Sequence, residues 1–256
     1  MNNIDYYPAI EHENASKKIV EIFKKDKRVM SILLTCSCAR GKATRDSCLD
    51  IYIIVKKRRM AKDVNRKFER LYAKVKEFRK LRKVGRYSHI DFSVIDGKIE
   101  IKERDWTSGP DNYELEIGNI FIYSVILFDR NNYFKKLKKK YIPYYSEKLR
   151  KKRLKEVKKY LFNNLDHIPF YVNRKLYFQA FDRLYKANQE FMQAVFIKKK
   201  IYPISFDKWI KEQFVEILKM PKAYKQIVNI IEIKKFESKE IENKAKKLRK
   251  LAIRYL

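Results

Sequence analysis

The fold of this chain is decided by the stretch SILLTCSCARG at residues 31–41 and by its continuation SCLDIYIIV at residues 47–55. Residues 29–35 are apolar and β-compatible, and residues 49–55 are mostly β-branched or aromatic, so both segments are predicted to be strands. Between them lie small, hydroxyl-bearing and basic side chains and Gly41. Small residues and a glycine let backbone N–H groups approach a phosphate, and basic side chains add positive charge. The pattern predicts a strand, a phosphate-facing turn and a second strand beginning with Asp50, whose carboxylate could hold a hard divalent ion.

These residues resemble the nucleotidyltransferase superfamily of the DNA polymerase β type. That family carries Gly-Ser, a connector containing Ala-Arg-Gly, then Ser-Asp-x-Asp, and a further carboxylate on a later strand. Here Ser37, Ala39-Arg40-Gly41, Ser47 and Asp50 fall in place. Asp91, within the segment HIDFSV at residues 89–94, matches the later carboxylate.

Two residues depart from the family pattern at positions that the family uses for phosphate approach and metal binding. Cys36 replaces the glycine, and Cys48 replaces the first aspartate, which is expected to touch both catalytic metals. A thiol supplies neither hardness nor a fixed negative charge at neutral pH, so transfer is expected to be weakened or lost. With Cys38, all 3 cysteines of the chain lie in the motif. They could be inert residues left after loss of activity, introduced residues, or a soft-metal site with His89.

The resemblance implies a reaction in which an acceptor hydroxyl attacks the α-phosphorus of ATP or another nucleoside triphosphate, with Mg²⁺ or Mn²⁺ as cofactor. It implies Asp50 and Asp91 as catalytic, metal-binding carboxylates, and Cys48 as the metal position that lacks its aspartate. The implied phosphate- and nucleotide-binding residues are Ser37, Arg40, Gly41, Lys42 and Ser47. Simple turn chemistry and strand-end ion pairs are the structural alternatives for these positions.

Composition bounds the class of protein. The chain has 256 residues, of which 45% are hydrophobic, so a sizeable core is expected. No apolar run reaches membrane-spanning length and the N-terminus lacks a hydrophobic signal core, so a soluble, cytoplasmic protein without a membrane partner is expected. The formal net charge of +31 attracts polyanions such as nucleic acid, or it reflects solvated lysine-rich helix faces.

The periodicity of the first half predicts one helix at residues 17–25, capped by Ser16, and another at residues 60–81. A strand at residues 89–95 and a turn at 96–97 lead to a hairpin partner at 98–102, and residues 107–111 form a loop. Residues 120–128 could be helix or strand. Within them, residues 125–130 resemble the strand that closes the sheet of aminoglycoside-type nucleotidyltransferases.

The second half is predicted to be helical. A basic segment at residues 134–160, interleaved with tyrosines, suits either a nucleic-acid track or an exposed linker and helix. A buried stripe begins at Leu176, after a helical run that starts near Asp166 or Pro169. Further helices are predicted at residues 206–218, at 223–233 and from Lys239, with Ser238 as the last cap. Residues 184–209 resemble the C-terminal helical domain of aminoglycoside and lincosamide nucleotidyltransferases.

The sequence therefore predicts an α+β protein, with a mixed-sheet nucleotidyltransferase-like domain at residues 1–140 and a helical domain at residues 141–256. The sequence is consistent with two alternative functions. One is an enzyme that transfers a nucleoside monophosphate to a small molecule, a protein or RNA. The other is a non-catalytic relative that binds nucleotide or RNA. The acceptor and the oligomeric state are not encoded in any motif.

Overall fold

The computed structural model describes residues 6–99, 112–142 and 144–256. The chain forms two compact units. Of the described residues, 6–99 and 116–142 belong to the first unit, and 112–115 and 144–256 belong to the second. A sheet-containing first unit and a helical second unit confirm the α+β class. The division into domains at residues 1–140 and 141–256 stays a prediction.

The first unit contains a four-stranded mixed sheet. Its strands are β1 (Val29–Leu34), β2 (Leu49–Val55), β3 (Ile90–Ile95) and β4 (Val125–Asp129). The strand order is β3-β2-β1-β4, in which β1 is antiparallel to β2 and β4, while β2 and β3 are parallel. The α-helices of this unit before the last strand are α1 (Ile10–Phe23), α2 (Cys36–Ala39), α3 (Ala61–Tyr72) and α4 (Lys76–Leu81), while α5 (Asn112–Glu116) has residues in both units. A π-helical turn at Ile117–Ile122 precedes β4, and α6 (Tyr133–Tyr141) follows it.

The two faces of the sheet have different neighbours because side chains alternate along each strand. One face carries Ile32, Leu34, Ile51 and Ile53, which are fully buried in one apolar cluster with residues of α1, α3 and α4. The other face carries Asp50 at the start of β2. The sheet therefore uses one face for the core and leaves one end of the other face for polar side chains.

Both predicted strands of the motif and the strand at residues 90–95 are confirmed, but the helices differ from the prediction. Helix α1 begins at Ile10, seven residues earlier than predicted, and its N-cap is Ala9. Ser16 lies buried inside this helix with its hydroxyl 2.8 Å from that of Tyr7, so it is not a cap. Its small side chain packs inward, which a capping pattern in the sequence does not reveal.

The predicted helix at residues 60–81 is two helices, α3 and α4, because Val75 is extended between them. On one continuous helix, Leu81 would point about 140° away from Phe68. The break lets both side chains enter the same apolar cluster. Burial of two apolar faces thus outweighs the helical periodicity.

The segments that follow β3 show which of the predicted turns, strands and helices form there. The turn after β3 is confirmed, with Gly97 at φ +72°. Residues 98 and 99 are not a strand, and the remainder of the predicted hairpin partner and the predicted loop at 107–111 lie outside the described residues. The segment predicted as helix or strand contains both, a π-helical turn and then the edge strand β4.

The second unit consists of helices. They are α7 (Glu147–Asn173), α8 (Tyr177–Lys199), α9 (Ile210–Glu212), α10 (Pro221–Ile231) and α11 (Glu240–Tyr255), with a π-helical turn at Gln213–Ile217. Helix α7 runs through Asp166 and Pro169, so the helical run does not begin at either residue as predicted. Packing of neighbouring Leu165, Ile168 and Val172 into the core keeps the helix continuous despite the proline.

The structure also differs from the predictions for the buried stripe of α8, for residues 204–209 and for the start of the last helix. Leu176 precedes α8 and is 44% exposed, so the buried stripe begins at Ala180. Residues 204–209 are not helical, because the buried Gln213 amide bonds their backbone instead: its Oε1 accepts from Ile204 N at 3.2 Å and its Nε2 donates to Lys208 O at 3.0 Å. The last helix begins at Glu240, whose N–H donates to Ser238 Oγ at 3.1 Å.

The tyrosines of the basic segment are packed inside the protein. Tyr141 and Tyr145 are 5% and 7% exposed, and the Tyr144 ring lies 4.0 Å from that of Tyr145. Bases cannot stack on buried rings, so the predicted nucleic-acid track along this segment is wrong in its aromatic part. Among the residues described by the structure, no helix combines the length and apolar character needed to cross a membrane.

Candidate functional site

Two carboxylates lie side by side at one end of the sheet. Asp50 on β2 is the register partner of Asp91 on the parallel strand β3. Directly paired residues of neighbouring strands project to the same face of a sheet. Asp50 is buried, with 8% exposure, whereas Asp91 is exposed. The structure thus brings together the two acidic residues singled out in the sequence, with one open to solvent.

The environment of Asp50 disfavours its charge. Burial raises the pKa of this carboxyl, and the charge of Asp91 raises it further, while hydrogen bonds from Cys48 and Cys36 oppose both effects. Between the ordinary and the raised pKa, the folded chain keeps a proton that the unfolded chain has released, so stability falls as pH rises through that window. A cation bound between the two carboxylates would remove this cost.

Cys48, which the resemblance predicts to be the position of the missing aspartate, lies against Asp50. Its Sγ lies 3.2 Å from Asp50 Oδ2. Burial first, and then the charge of Asp50, raise the pKa of this thiol to about 12. The sulfur is therefore a protonated donor to the carboxylate at neutral pH, rather than an anionic ligand.

The turn between β1 and β2 folds as a short helix followed by a glycine turn. Cys36 has φ +54°, in the left-handed region where glycine carries no steric cost. The turn closes through bonds from Lys42 N to Ser37 O at 2.9 Å and from Gly41 N to Cys38 O at 3.1 Å, with Gly41 at φ +66°. The backbone thus keeps the glycine-type geometry at Cys36 although the side chain has changed.

Ser37 and Arg40 lie in the turn that follows β1 at this end of the sheet. In the described part of the chain, the hydroxyl of Ser37 makes no hydrogen bond, and the residue is 9% exposed. The charge of Arg40 lowers the pKa of Cys36, which places the guanidinium near the turn, although burial raises that pKa to about 12 overall. The Ser37 hydroxyl is therefore available to an oxygen atom of a bound anion, and Arg40 adds positive charge to the turn.

Ser47 makes hydrogen bonds that hold the connector between β1 and β2. Its Oγ accepts from Thr44 N at 2.9 Å, and its carbonyl oxygen accepts from Nε2 of buried His12 at 3.0 Å. The side chain of Lys42 is half-exposed and its backbone closes the turn. These contacts hold the segment that delivers Cys48 and Asp50 to the sheet.

Residues with no assigned role in the sequence analysis complete the polar face. Tyr52 follows Asp50 by two positions on β2, and it is the register partner of Ser93, to which it hydrogen-bonds. Thr35 fixes the start of β2, because its backbone N donates to Asp50 O at 3.0 Å and its Oγ1 at 3.3 Å. The two-residue repeat of a strand could have identified Tyr52 once Asp50 was placed.

The donor set fits one hard cation and does not fit two. Mg²⁺ is commonly held by one or two carboxylates together with substrate phosphates, which Asp50 and Asp91 could provide. A protonated thiol cannot bridge two such ions. Within the described ranges, no group of three or more His, Cys, Asp and Glu side chains is arranged to hold a metal ion. The three cysteines thus do not converge on a soft-metal site with His89 in this structure.

The raised thiol pKa values predict slow alkylation. Burial raises the pKa of Cys36, Cys38 and Cys48 each to about 12. At pH 8 the thiolate fraction is then about 10⁻⁴, against about a quarter for a free cysteine. Iodoacetamide is expected to react with the folded chain about 10³-fold more slowly than with the chain in urea, as followed by mass spectrometry. Asp50→Asn should accelerate reaction at Cys48, and equal rates in the folded and unfolded chains would contradict the assignment.

The first unit therefore combines a mixed sheet, two paired carboxylates and a short helical turn beside them. Residues 16–112 match the family model described as a nucleotidyltransferase domain, which confirms the resemblance to the nucleotidyltransferase superfamily predicted from the motif. No curated protein sequence gives a significant match. A nucleotidyltransferase-like protein from Exiguobacterium sibiricum is similar in structure, with 11% identity and a TM-score of 0.47 over 96% of this chain and 75% of that chain.

Proposed function

We propose that the first unit binds a nucleoside triphosphate together with one divalent cation and transfers the nucleoside monophosphate slowly to an acceptor hydroxyl. The observation that carries this proposal is the register pairing of Asp50 with Asp91 beside the turn at residues 36–41. A nucleotidyltransferase domain generally uses a nucleoside triphosphate and a divalent metal, and the matched family model supports that class of chemistry. RNA and small molecules remain the candidate acceptors.

Each residue has a role that follows from its position. Asp50 and Asp91 would hold Mg²⁺ or Mn²⁺, which would supply charge neutralisation at the phosphates when bound. Ser37 donates its unpartnered hydroxyl to a phosphate oxygen, and Arg40 adds positive charge. The burial of Asp50 keeps water away from one carboxylate, which strengthens its attraction for a cation.

Cys48 limits the rate in this scheme. Its thiol occupies one side of Asp50 as a hydrogen-bond donor and contributes no negative charge. The family places an aspartate there, so this chain would lack the ligand shared by two metals. Nucleotide binding would survive this loss better than transfer, because binding draws on the turn and on the remaining carboxylates.

The test is calorimetric titration of the full chain with ATP, with and without Mg²⁺. Asp50→Asn and Asp91→Asn are each expected to abolish the Mg²⁺-dependent part of ATP binding, with a loss of about tenfold or more in affinity. Glu69→Gln, an exposed carboxylate on α3, is the charge-matched control and should bind as the parent does. Without metal, Asp50→Asn should melt at or above the parent temperature, because ionised Asp50 is costly to bury.

The second candidate is a non-catalytic relative that binds nucleotide without transfer. The specific observation in its favour is the protonated thiol at the metal position. ATP binding that is equally tight with and without Mg²⁺, and unchanged by Asp91→Asn, would select this candidate. A cytoplasmic location and a closer relation to aminoglycoside or lincosamide enzymes stay predictions.

A further inference from the structure

A basic groove lies between helices α10 and α11 of the second unit. Its volume is 350 Å³. Its walls are formed by Gln226, Asn229, Ile230, Lys247, Lys250, Leu251 and Arg254. The lining thus contains three cations, two amides and two apolar side chains, and it contains no carboxylate.

The cations of α11 divide into two sets by their partners. Lys244, Lys246 and Arg249 form ion pairs with Glu240, Glu242 and Asp166. The groove cations Lys247, Lys250 and Arg254 are exposed, and none of them is ion-paired with any residue that the structure describes. Unneutralised charge is therefore concentrated in the groove, while the neighbouring faces of the same helix are balanced.

The geometry suits an extended anionic chain. The groove cations occur at steps of three and four residues, so they lie along one face of α11 and span about 10 Å of its axis. Gln226 and Asn229 lie three apart on α10 and carry both donors and acceptors. Ile230 and Leu251 are buried, with 3% and 5% exposure, and form an apolar floor.

We propose that this groove binds single-stranded RNA. Its cations pair with successive phosphates of the strand. The amides of Gln226 and Asn229 meet base edges and the ribose 2′-hydroxyl, which is both a donor and an acceptor. In an RNA duplex the base edges are paired or lie in a deep, narrow groove, so contact with these exposed amides favours an unpaired strand. This inference does not rest on the proposed nucleotidyl transfer.

The test is fluorescence anisotropy of a labelled, unstructured RNA of about 12 nucleotides, titrated with the full chain without nucleotide or metal. The groove variant combines Lys247→Gln, Lys250→Gln and Arg254→Gln. The matched control combines Lys199→Gln, Lys235→Gln and Lys239→Gln, which are exposed lysines of the same unit outside the groove. Each triple variant lowers the formal charge from +31 to +28, so total charge is held equal.

The groove variant is expected to bind RNA about tenfold or more weakly, and the slope of log affinity against log salt should fall by about 2. The control should stay within about twofold of the parent, and single-stranded DNA of the same base order should bind about threefold more weakly than RNA. Equal losses in both variants would assign binding to net charge and overturn the proposal. Undiminished binding by the groove variant, or equal binding of DNA, would overturn it as well. Thermal melts of both variants establish that they are folded.

Discussion

Cys48→Asp is expected to raise nucleotidyl transfer by about 10²-fold or more over the parent chain. The substituted carboxylate would stand beside the paired carboxylates of Asp50 and Asp91, in place of a thiol 3.2 Å from Asp50 Oδ2. It would exchange a protonated donor for an anionic oxygen ligand, which is what Mg²⁺ requires. The scaffold around it is already in place, because the turn keeps its left-handed residue at Cys36.

The measurement is transfer of α-labelled ATP, with Mg²⁺, to a mixed pool of RNA and small hydroxyl compounds. Cys48→Asn is the matched control, since it has the same shape as aspartate but no charge, and it should stay at the parent level. A second variant with Cys36→Gly and Cys48→Asp tests whether the family glycine adds to the gain. Failure of both aspartate variants to transfer or bind more nucleotide than the control would contradict the proposed role of position 48.

A melting experiment gives an independent readout of the same substitution. Three carboxylates in a partly buried site repel one another, so Cys48→Asp should melt below the parent without metal. Mg²⁺ should restore or exceed the parent melting temperature, and the parent should respond less to the metal. An equal response to Mg²⁺ in both chains would mean that position 48 does not face the cation.

Glu114→Ala is expected to destabilise the second unit by about 3–5 kcal/mol. Glu114 is fully buried, with 0% exposure. Its Oε1 accepts from Tyr145 Oη at 2.9 Å and from Tyr144 Oη at 3.3 Å, and its Oε2 accepts from Gln193 Nε2 at 2.9 Å. Arg153 Nη2 lies 3.6 Å from Oε2, with the arginine side chain only 4% exposed. Removing the carboxylate takes one charge partner away from a buried cation, and the tyrosine hydroxyls lose an acceptor.

Urea unfolding followed by circular dichroism measures this loss, because the second unit is helical. Glu114→Gln separates charge from hydrogen bonding, and its loss should be smaller than that of alanine. Glu237→Gln, an exposed carboxylate of the same unit, is the control and should stay within about 0.5 kcal/mol of the parent. A loss below about 1 kcal/mol in Glu114→Ala would show that the cluster does not hold the unit together.

Burial and the charge of Glu114 both raise the pKa of Tyr144 and Tyr145, with burial the larger cause. These hydroxyls therefore stay protonated as donors across the working pH range. The tyrosines that look suited to base stacking in the sequence are instead the donors that solvate a buried carboxylate. Their role is structural, because the same side chains cannot fill a core and face a nucleic acid.

The sequence by itself determined three of the four strands in the sheet of the first unit and the resemblance to the nucleotidyltransferase superfamily. Strands β1, β2 and β3 were predictable because short apolar, β-branched runs bounded by turn residues favour strands. The spacing of Ser37, Arg40, Gly41 and Asp50 resembles the motif of the nucleotidyltransferase superfamily. The break between α3 and α4, the passage of α7 through Pro169 and the burial of Tyr145 were decided only by tertiary structure. The same holds for the thiol of Cys48 against Asp50 and for the groove on α11. The local periodicity of a sequence indicates which residues face water and which face the core. Which side chains neutralise a given charge depends on tertiary contacts between residues far apart in the sequence.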